Sequence, residues 1–437
     1  MGHIVFGAPP LDSGHLHDRL QRALAQRGHR VTWLCPDAEE AMTWRHCGVE
    51  VATLRRDAVD EIPEPALLDG LDSRRQRQRQ QRYAAVTAWA AANPFDLLFL
   101  HARRGGESAL LQFVARRHGR AVLWTGPGLL PHTMQCDERG LDGDAAASHR
   151  SAHEFRCVRA EPELLRACLC HALAGTRPFG LPRRTPCAPS SWPQRCRQQL
   201  ERRLRWFAAR WAGHDQLPGE PVPPVLDPAG WQPPTSPFLG VLLQAPDDPR
   251  IVHDSEAGPD AARLCAASVA AAQRIDPALQ VVVVAPPGQR RQQDAGNALV
   301  HAAPAGAAAL VAATATAVVT VNHPLASIGL LAGTPVLHLG TALYGLPGAA
   351  WRTSTAALPA TLARALRHDY PTLRERFATW LFGHGHLWCS ATEPDHNGLL
   401  GLVAAIERRL PRTADRLAPL PYRSGPAWPL AAARRPQ

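Results

Sequence analysis

Short, unbroken apolar runs recur along the chain. Each is followed by a polar loop and then by apolar residues spaced three and four apart. His3 to Gly7 is the first such run. After the loop "APPLDSGH", Leu16, Leu20, Ala23 and Leu24 share one helical face, with Gly28 where a helix C-cap belongs. "RVTWLC" is the next run. A strand, a helix and a strand with short connections form a βαβ unit, whose strands lie parallel with a right-handed crossover. "FDLLFL" (Phe95 to Leu100) and "AVLWTG" (Ala121 to Gly126) flank the helical "ESALLQFVARRHG" and repeat the unit. One α/β domain over residues 1–150 accommodates both.

The same grammar returns later. "PFLGVLLQ" (Pro237 to Gln244), "LQVVVV", "AVVTVN" and "PVLHLG" read as four strands. They alternate with three helices, "DAARLCAASVAAAQRI", "AALVAAT" and "LASIGLLAG", which predicts a second parallel sheet over residues 237–370. Residues 151–236 break the pattern. They are arginine- and cysteine-rich, carry helical patches such as "RCRQQLERRLRWFAARWAG", and end in the proline-dense Leu217 to Pro237. Proline at that density excludes helix and central strand, so a connector is expected there. Residues 371–437 read as two helical pieces and a loosely ordered tail from Leu410. The expectation is a two-lobed α/β protein with two Rossmann-like lobes. In open parallel sheets ligands bind beyond the carboxyl ends of the strands, so strand ends are where chemistry belongs.

Composition sharpens this. The 437 residues, 45% of them hydrophobic, suffice for two cores. No apolar run reaches the roughly 20 residues a membrane-spanning helix needs, and the start of the chain has no secretory pattern. All 48 basic residues are arginine, which excludes a Schiff-base lysine and the lysine of a phosphate-binding Walker loop. A formal charge of +10 favours anionic partners, although an arginine-rich surface explains it as well. The ten cysteines form no Cys-x-x-Cys pair, Cys168-x-Cys170 being the closest spacing. No zinc site is expected, and the thiols read as free and mostly buried in a reducing compartment. His384 and His386 do not share a helix face, so no metal pair is expected there either. "DSRRQRQRQQR" (Asp72 to Arg82) reads as a solvated helix face, with anionic lipid as the alternative.

The densest chemistry lies in "VVTVNHPLASIGLLAGTPVLHLGTALYGLPG", from Val318 to Gly348. A buried strand stops on Asn322-His323-Pro324. Pro324 presets a first helical turn and Asn322 is a candidate N-cap. A helix start with Asn322, His323 and Ser327 beside it is expected to bind an anion. A capped helix with a structural histidine explains the same residues. A second strand end, "TALYGLPG", faces the same cleft.

This stretch resembles the donor-side motif of the capsule polysaccharide biosynthesis and export proteins, the bacterial Kdo transferases that start the capsule lipid linker. The matching residues are Asn322, Gly333-Thr334-Pro335-Val336, Leu339-Gly340 and Ala342 to Gly348. "FGAPPLDSGHLHDRLQRALAQRGHRVTWLCP" is similar to that family's opening strand, loop and helix. Gly128-Leu129-Leu130-Pro131 and Asp137-Glu138-Arg139-Gly140 resemble its central signature. Gln244 and Asp248 fall in its Gln-x-x-x-Asp element. The likeness spans most of the chain and is weakest between residues 150 and 235. The chain departs from the family where Ala285-Pro286-Pro287-Gly288 replaces a basic residue and a His-Pro. It departs again where Pro127, Leu129 and Leu130 replace an acidic residue, a tyrosine and an arginine.

The resemblance implies a GT-B-like glycosyltransferase that transfers Kdo from CMP-Kdo to an anionic lipid or lipid-linked glycan acceptor. It implies no metal and no cofactor beyond the nucleotide-sugar donor. Asn322, His323 and Ser327 become candidates for the donor phosphate, with Gln244, Asp248 and Tyr344 on the nucleotide side. Asp137, Glu138 and His15 are the candidate bases for the acceptor, with a solvated loop residue as the alternative reading of each. The implied location is the cytoplasm, with peripheral contact at the inner face of the cytoplasmic membrane. Capsule assembly proteins are implied partners and nucleic acid is not. Two alternatives stay open. One is a diverged, non-catalytic relative that binds a nucleotide sugar, a glycan or a partner protein; the charged groups lost at Pro127 and Ala285 favour it. The other is a nucleotide-binding protein of unrelated purpose.

Overall fold

The computed structural model describes residues 1–7, 14–35, 50–53, 73–101, 106–174, 231–246, 248, 250–251, 255, 261–286, 299–390 and 394–411. They build two sheets. The front sheet contains β1 (His3–Gly7), β2 (Arg30–Cys35), β3 (Val51–Thr53), β4 (Leu97–His101), β5 (Ala121–Pro127), β6 (Met134–Asp137) and, from far along the chain, β13 (His386–Leu387). Its order is β13-β6-β5-β4-β1-β2-β3, parallel except where β6 runs antiparallel to β5 and β13 antiparallel to β6. The rear sheet contains β7 (Phe238–Leu242), β8 (Gln280–Val284), β9 (Val300–Ala303), β10 (Ala317–Thr320), β11 (Val336–His338) and β12 (Trp351–Arg352). Its order is β12-β11-β10-β7-β8-β9, parallel throughout.

Both central strands are buried on both faces, as the uninterrupted apolar runs require. Alternate residues then divide between two cores. In the rear sheet, Leu239, Val241, Val281, Val283 and Val319 pack under α5 (Ala261–Ile275) and α8 (Leu358–Arg367). Leu242, Val282, Val284 and Val318 face the other way. They meet α6 (Ala308–Thr314), α7 (Ile328–Ala332) and α9 (Pro371–Gly383). Gly333 ends α7 with φ 85°, a left-handed conformation that glycine adopts without steric cost. In the front sheet, Ile4, Phe6, Trp33 and Phe99 pack against α1 (Gly14–Gln26) and α10 (His396–Glu407). Val5, Leu98, Leu100 and Trp124 pack against α2 (Ser73–Ala92) and α3 (Gly106–Arg117).

The α/β alternation and the two parallel sheets agree with the sequence expectation. The edge strands do not follow from it. β3, β9, β12 and β13 are two to four residues long, and β9 is half exposed. Strands that short carry no legible alternation. The lobes also exchange chain. α4 (Pro162–Ala174) leaves the front lobe and packs against α7 and α9. β13 and α10 return to complete the front lobe, α10 lying on α1. Residues 371–411 are therefore shared between the lobes. The expected helix "RCRQQLERRLRWFAARWAG", most of the proline-rich connector and the tail beyond Pro411 lie outside the described residues. No helix among the described residues is long and apolar enough to cross a membrane.

Three buried histidines give the fold a pH dependence. Burial lowers His101 to about 3, and lowers His338 and His386 to about 4, from an ordinary value of 6.5. The unfolded chain therefore takes up more protons on acidification than the folded one does. Stability is intact above pH 6.5 and declines as the pH falls from there toward 4, by up to about 1.4 kcal/mol per pH unit for each histidine. Urea unfolding at pH 7.5 and pH 5.5 should show a clearly lower midpoint at the acidic pH, whereas equal midpoints would contradict the buried, neutral assignment.

Candidate functional site

The rear sheet reverses its winding between β7 and β10, so a crevice opens at their carboxyl ends. Gln244 follows β7, and Asn322 and His323 follow β10. Gln244 and Asn322 are buried and join across the crevice. Gln244 Nε2 donates to Asn322 Oδ1 at 3.0 Å, and Asn322 N–H donates to Gln244 Oε1 at 3.1 Å. Asn322 Nδ2 donates to the carbonyls of Arg250 (2.8 Å) and Thr341 (3.3 Å), which ties in the loop after β11. Gln244 Nε2 also reaches Asp248 Oδ2 at 3.2 Å. The structure thus brings Gln244, Asp248 and Asn322 into one network.

The expected open helix start is not there. Pro324–Ser327 is a single 3-10 turn leading into the five-residue α7. Its amides are already used by the protein. His323 N–H donates to Thr320 Oγ1 at 3.1 Å, Leu325 N–H to His323 Nδ1 at 3.2 Å and Ala326 N–H to the His323 carbonyl at 3.0 Å. The N-cap is His323, through its ring, and not Asn322. Ser327 is fully buried with its hydroxyl oxygen unpartnered, so it is not available to a donor phosphate. Tyr344 is also buried; its hydroxyl donates to the His323 carbonyl at 3.0 Å and fixes that residue from behind. Burial, reinforced by nearby Asp142 and opposed by Arg250, raises its pKa above the ordinary range.

His323 keeps one polar group for other use. Because Nδ1 accepts from Leu325, the ring proton sits on Nε2, and no acceptor for it exists among the described residues. Burial, helped by the Arg250 charge, lowers His323 to about 4, so the ring is neutral near pH 7. A half-buried, oriented, uncharged N–H donor stands at the mouth of the crevice.

The front lobe faces this crevice with residues that the sequence pattern did not reveal. Arg250, only 6% exposed, places Nε 3.4 Å from Asp142 Oδ1 of the front lobe and Nη1 3.6 Å from Asp248 Oδ2 of its own loop. Asp142 adopts φ 53°, an uncommon backbone conformation for a residue with a side chain. Gln135 holds it there, donating to Asp142 Oδ1 at 3.0 Å and accepting the Asp142 N–H at 2.8 Å. The neighbouring turn is tight: a Cβ on Gly128 would lie 2.1 Å from Thr133 Oγ1 and 2.8 Å from the Thr133 carbonyl carbon. Leu129 N–H donates to His386 Nε2 at 3.1 Å, locking the turn to β13.

The candidate bases lie elsewhere. The Asp137 carboxylate accepts the amides of Arg139 (2.7 Å), Gly140 (3.3 Å) and Ala146 (2.9 Å), so it organises its own loop. Asp137 pairs with Trp124 in mid-strand, because β6 runs back toward the amino end of the sheet. Glu138 continues in that direction and forms an ion pair with Arg409, Nε to Oε1 2.9 Å, without hydrogen-bond alignment at Nε. Neither carboxylate faces the crevice. His15 falls in the first turn of α1, and its side chain lies outside the described residues. No group of three His, Cys, Asp or Glu side chains among the described residues could hold a metal. A surface cavity of about 420 Å³, lined by His3, Arg30, Phe95, Asp96 and Arg120, sits at the amino ends of the front strands, away from the crevice.

No protein-family model matches the sequence, and no curated protein matches it. Among solved structures, the chain is similar to the spinosyn rhamnosyltransferase SpnG, with 16% identity, 93% of this chain and 100% of that one covered, and a TM-score of 0.36. It is similar to Acinetobacter baumannii MurG, with 10% identity, 93% and 100% coverage, and a TM-score of 0.37. It is also similar to KpsC of Thermosulfurimonas dismutans, a beta Kdo 2,7 transferase, with 11% identity, 93% and 99% coverage, and a TM-score of 0.42. The fold itself is defined by the two strand orders given above.

Asn322 is the hub of the crevice. Asn322→Ala would remove the acceptor of one Gln244 Nε2 bond and the side-chain donor to the Arg250 and Thr341 carbonyls, while the backbone bond to Gln244 Oε1 stays, and should cost about 2–3 kcal/mol. Urea denaturation reads this directly, and a loss under about 0.5 kcal/mol would mean the network is not closed as described.

Proposed function

We propose that this protein is a nucleotide-sugar-dependent glycosyltransferase, that the transferred sugar is Kdo from CMP-Kdo, and that the acceptor is an anionic lipid or lipid-linked glycan of capsule biosynthesis. The observation that carries this reading is the placement of Gln244, Asn322 and His323 at the point where the rear sheet reverses its winding. That is where doubly wound sheets bind nucleotides. The donor-side run from Asn322 to Gly348 supports the choice of sugar through its resemblance to the Kdo transferases.

The chemistry follows from the groups in place. Transfer breaks the bond between the sugar and the CMP phosphate oxygen, and negative charge develops on that oxygen. A neutral, fixed N–H stabilises such charge without reorganising. His323 Nε2–H supplies it, and Tyr344 and Leu325 hold the ring and backbone that aim it. Arg250, paired with Asp248 and Asp142, stands close enough to depress the His323 pKa, and Gln244 with Asn322 keeps the crevice mouth rigid. No metal is invoked, since guanidinium and imidazole donors suit phosphate and carboxylate alike.

The non-catalytic alternative keeps specific support. The amides of the Asn322–Ser327 turn are spent on protein groups, and neither Asp137 nor Glu138 faces the crevice. One assay separates the two. With CMP-Kdo and anionic lipid acceptors, the native protein should transfer sugar, and His323→Ala should lower kcat on the order of a hundredfold. His323→Gln, which retains an N–H, should recover part of the loss. Saturable CMP binding without transfer would replace the enzyme by the binding protein.

A further inference from the structure

Arg250 is held by two carboxylates of different origin. Asp248 is local, and its Oδ1 accepts the Arg250 backbone N–H at 2.8 Å. Asp142 comes from the front lobe, 108 residues earlier, and reaches the guanidinium at 3.4 Å. That distance exceeds the roughly 2.7–2.9 Å of a well-made charge-assisted bond. Asp142 also has a second anchor in Gln135, so it does not need Arg250 to stay satisfied.

The charges decide what an incoming anion would meet. An anion that reaches Arg250 meets two carboxylates already beside the guanidinium, Asp142 at 3.4 Å and Asp248 at 3.6 Å, and both repel a phosphate or carboxylate. If Asp142 withdraws, one of these repelling charges leaves and a place on the guanidinium opens. Removing a carboxylate from a buried arginine is costly unless another anion replaces it. The two anions are therefore competitors for one guanidinium.

We propose that Arg250 is the anion receptor of the crevice and that Asp142 is its internal substitute, an interlobe clasp that the anionic group of the ligand displaces. This rests on the reading that the crevice takes a nucleotide sugar. Ligand entry and release of the front lobe are then the same event. Asp142 sets an affinity threshold, because any ligand has to compete with a tethered carboxylate.

The test uses the full chain, native and as Asp142→Asn, Asp142→Gly and Arg250→Gln. Glycine accepts the φ of 53° without strain, so it guards against misfolding of the asparagine variant. Calorimetric titration with CMP, UDP and thymidine diphosphate is paired with small-angle scattering of the ligand-free proteins. Expected are nucleotide binding tightened on the order of tenfold in both Asp142 variants, its loss in Arg250→Gln, and a larger radius of gyration without the clasp. Unchanged or weaker binding in folded Asp142 variants overturns the proposal. If no nucleotide binds any variant, the nucleotide-sugar reading fails, and scattering alone decides: expansion on removing Asp142 upholds the clasp, and an unchanged radius overturns it.

Discussion

The reciprocal hydrogen bond between Gln244 and Asn322 is the constraint on which the rest depends. It joins the carboxyl ends of β7 and β10, the two strands between which the rear sheet changes direction. Through Asn322 Nδ2 it also fixes the Arg250 carbonyl and the loop after β11. Three separate loops are thereby held at one point. Only then can His323 be turned so that one ring nitrogen caps the following turn and the other faces outward. Buried amides so heavily bonded leave little freedom for alternative packings.

A second consequence concerns how the lobes communicate. The front lobe contributes Asp142 and Gln135, and the rear lobe contributes Arg250 and Asp248. These meet because β6 turns back antiparallel beside β5 and delivers Gln135 near the carboxyl end of the sheet. The shared apolar core beneath, with Leu129, Leu130 and Ala145 against residues of the rear lobe, keeps the two halves in register. The exchange of α4, β13 and α10 between lobes adds to that coupling.

How far the sequence could be read follows from the range of each signal. The long apolar runs at β1, β4, β5, β7, β8 and β10 declared buried parallel strands, because a strand covered on both faces has no choice of side chain. Gln244, Asn322, His323 and Tyr344 could be located because they sit at fixed offsets from those runs, but Tyr344, expected on the nucleotide side, lies buried behind the His323 carbonyl. Arg250 and Asp142 were not: their meaning comes from a contact across 108 residues that no local period encodes. The open helix start was a wrong expectation for a local reason. The Asn-His-Pro sequence suits a capped turn equally well, and the histidine ring took the cap that the anion was expected to fill. Asp137 and Glu138 misled similarly, since an acidic pair after a strand says nothing about which way that strand runs.

The central claim is that ligand chemistry belongs to the Gln244–Asn322–His323 crevice. Hydrogen–deuterium exchange of the native chain with and without CMP addresses it most directly. The account predicts added protection in peptides covering Leu242–Ile251 and Thr320–Ala326. Protection confined to the amino ends of the front strands, around Arg30 and Arg120, would contradict it.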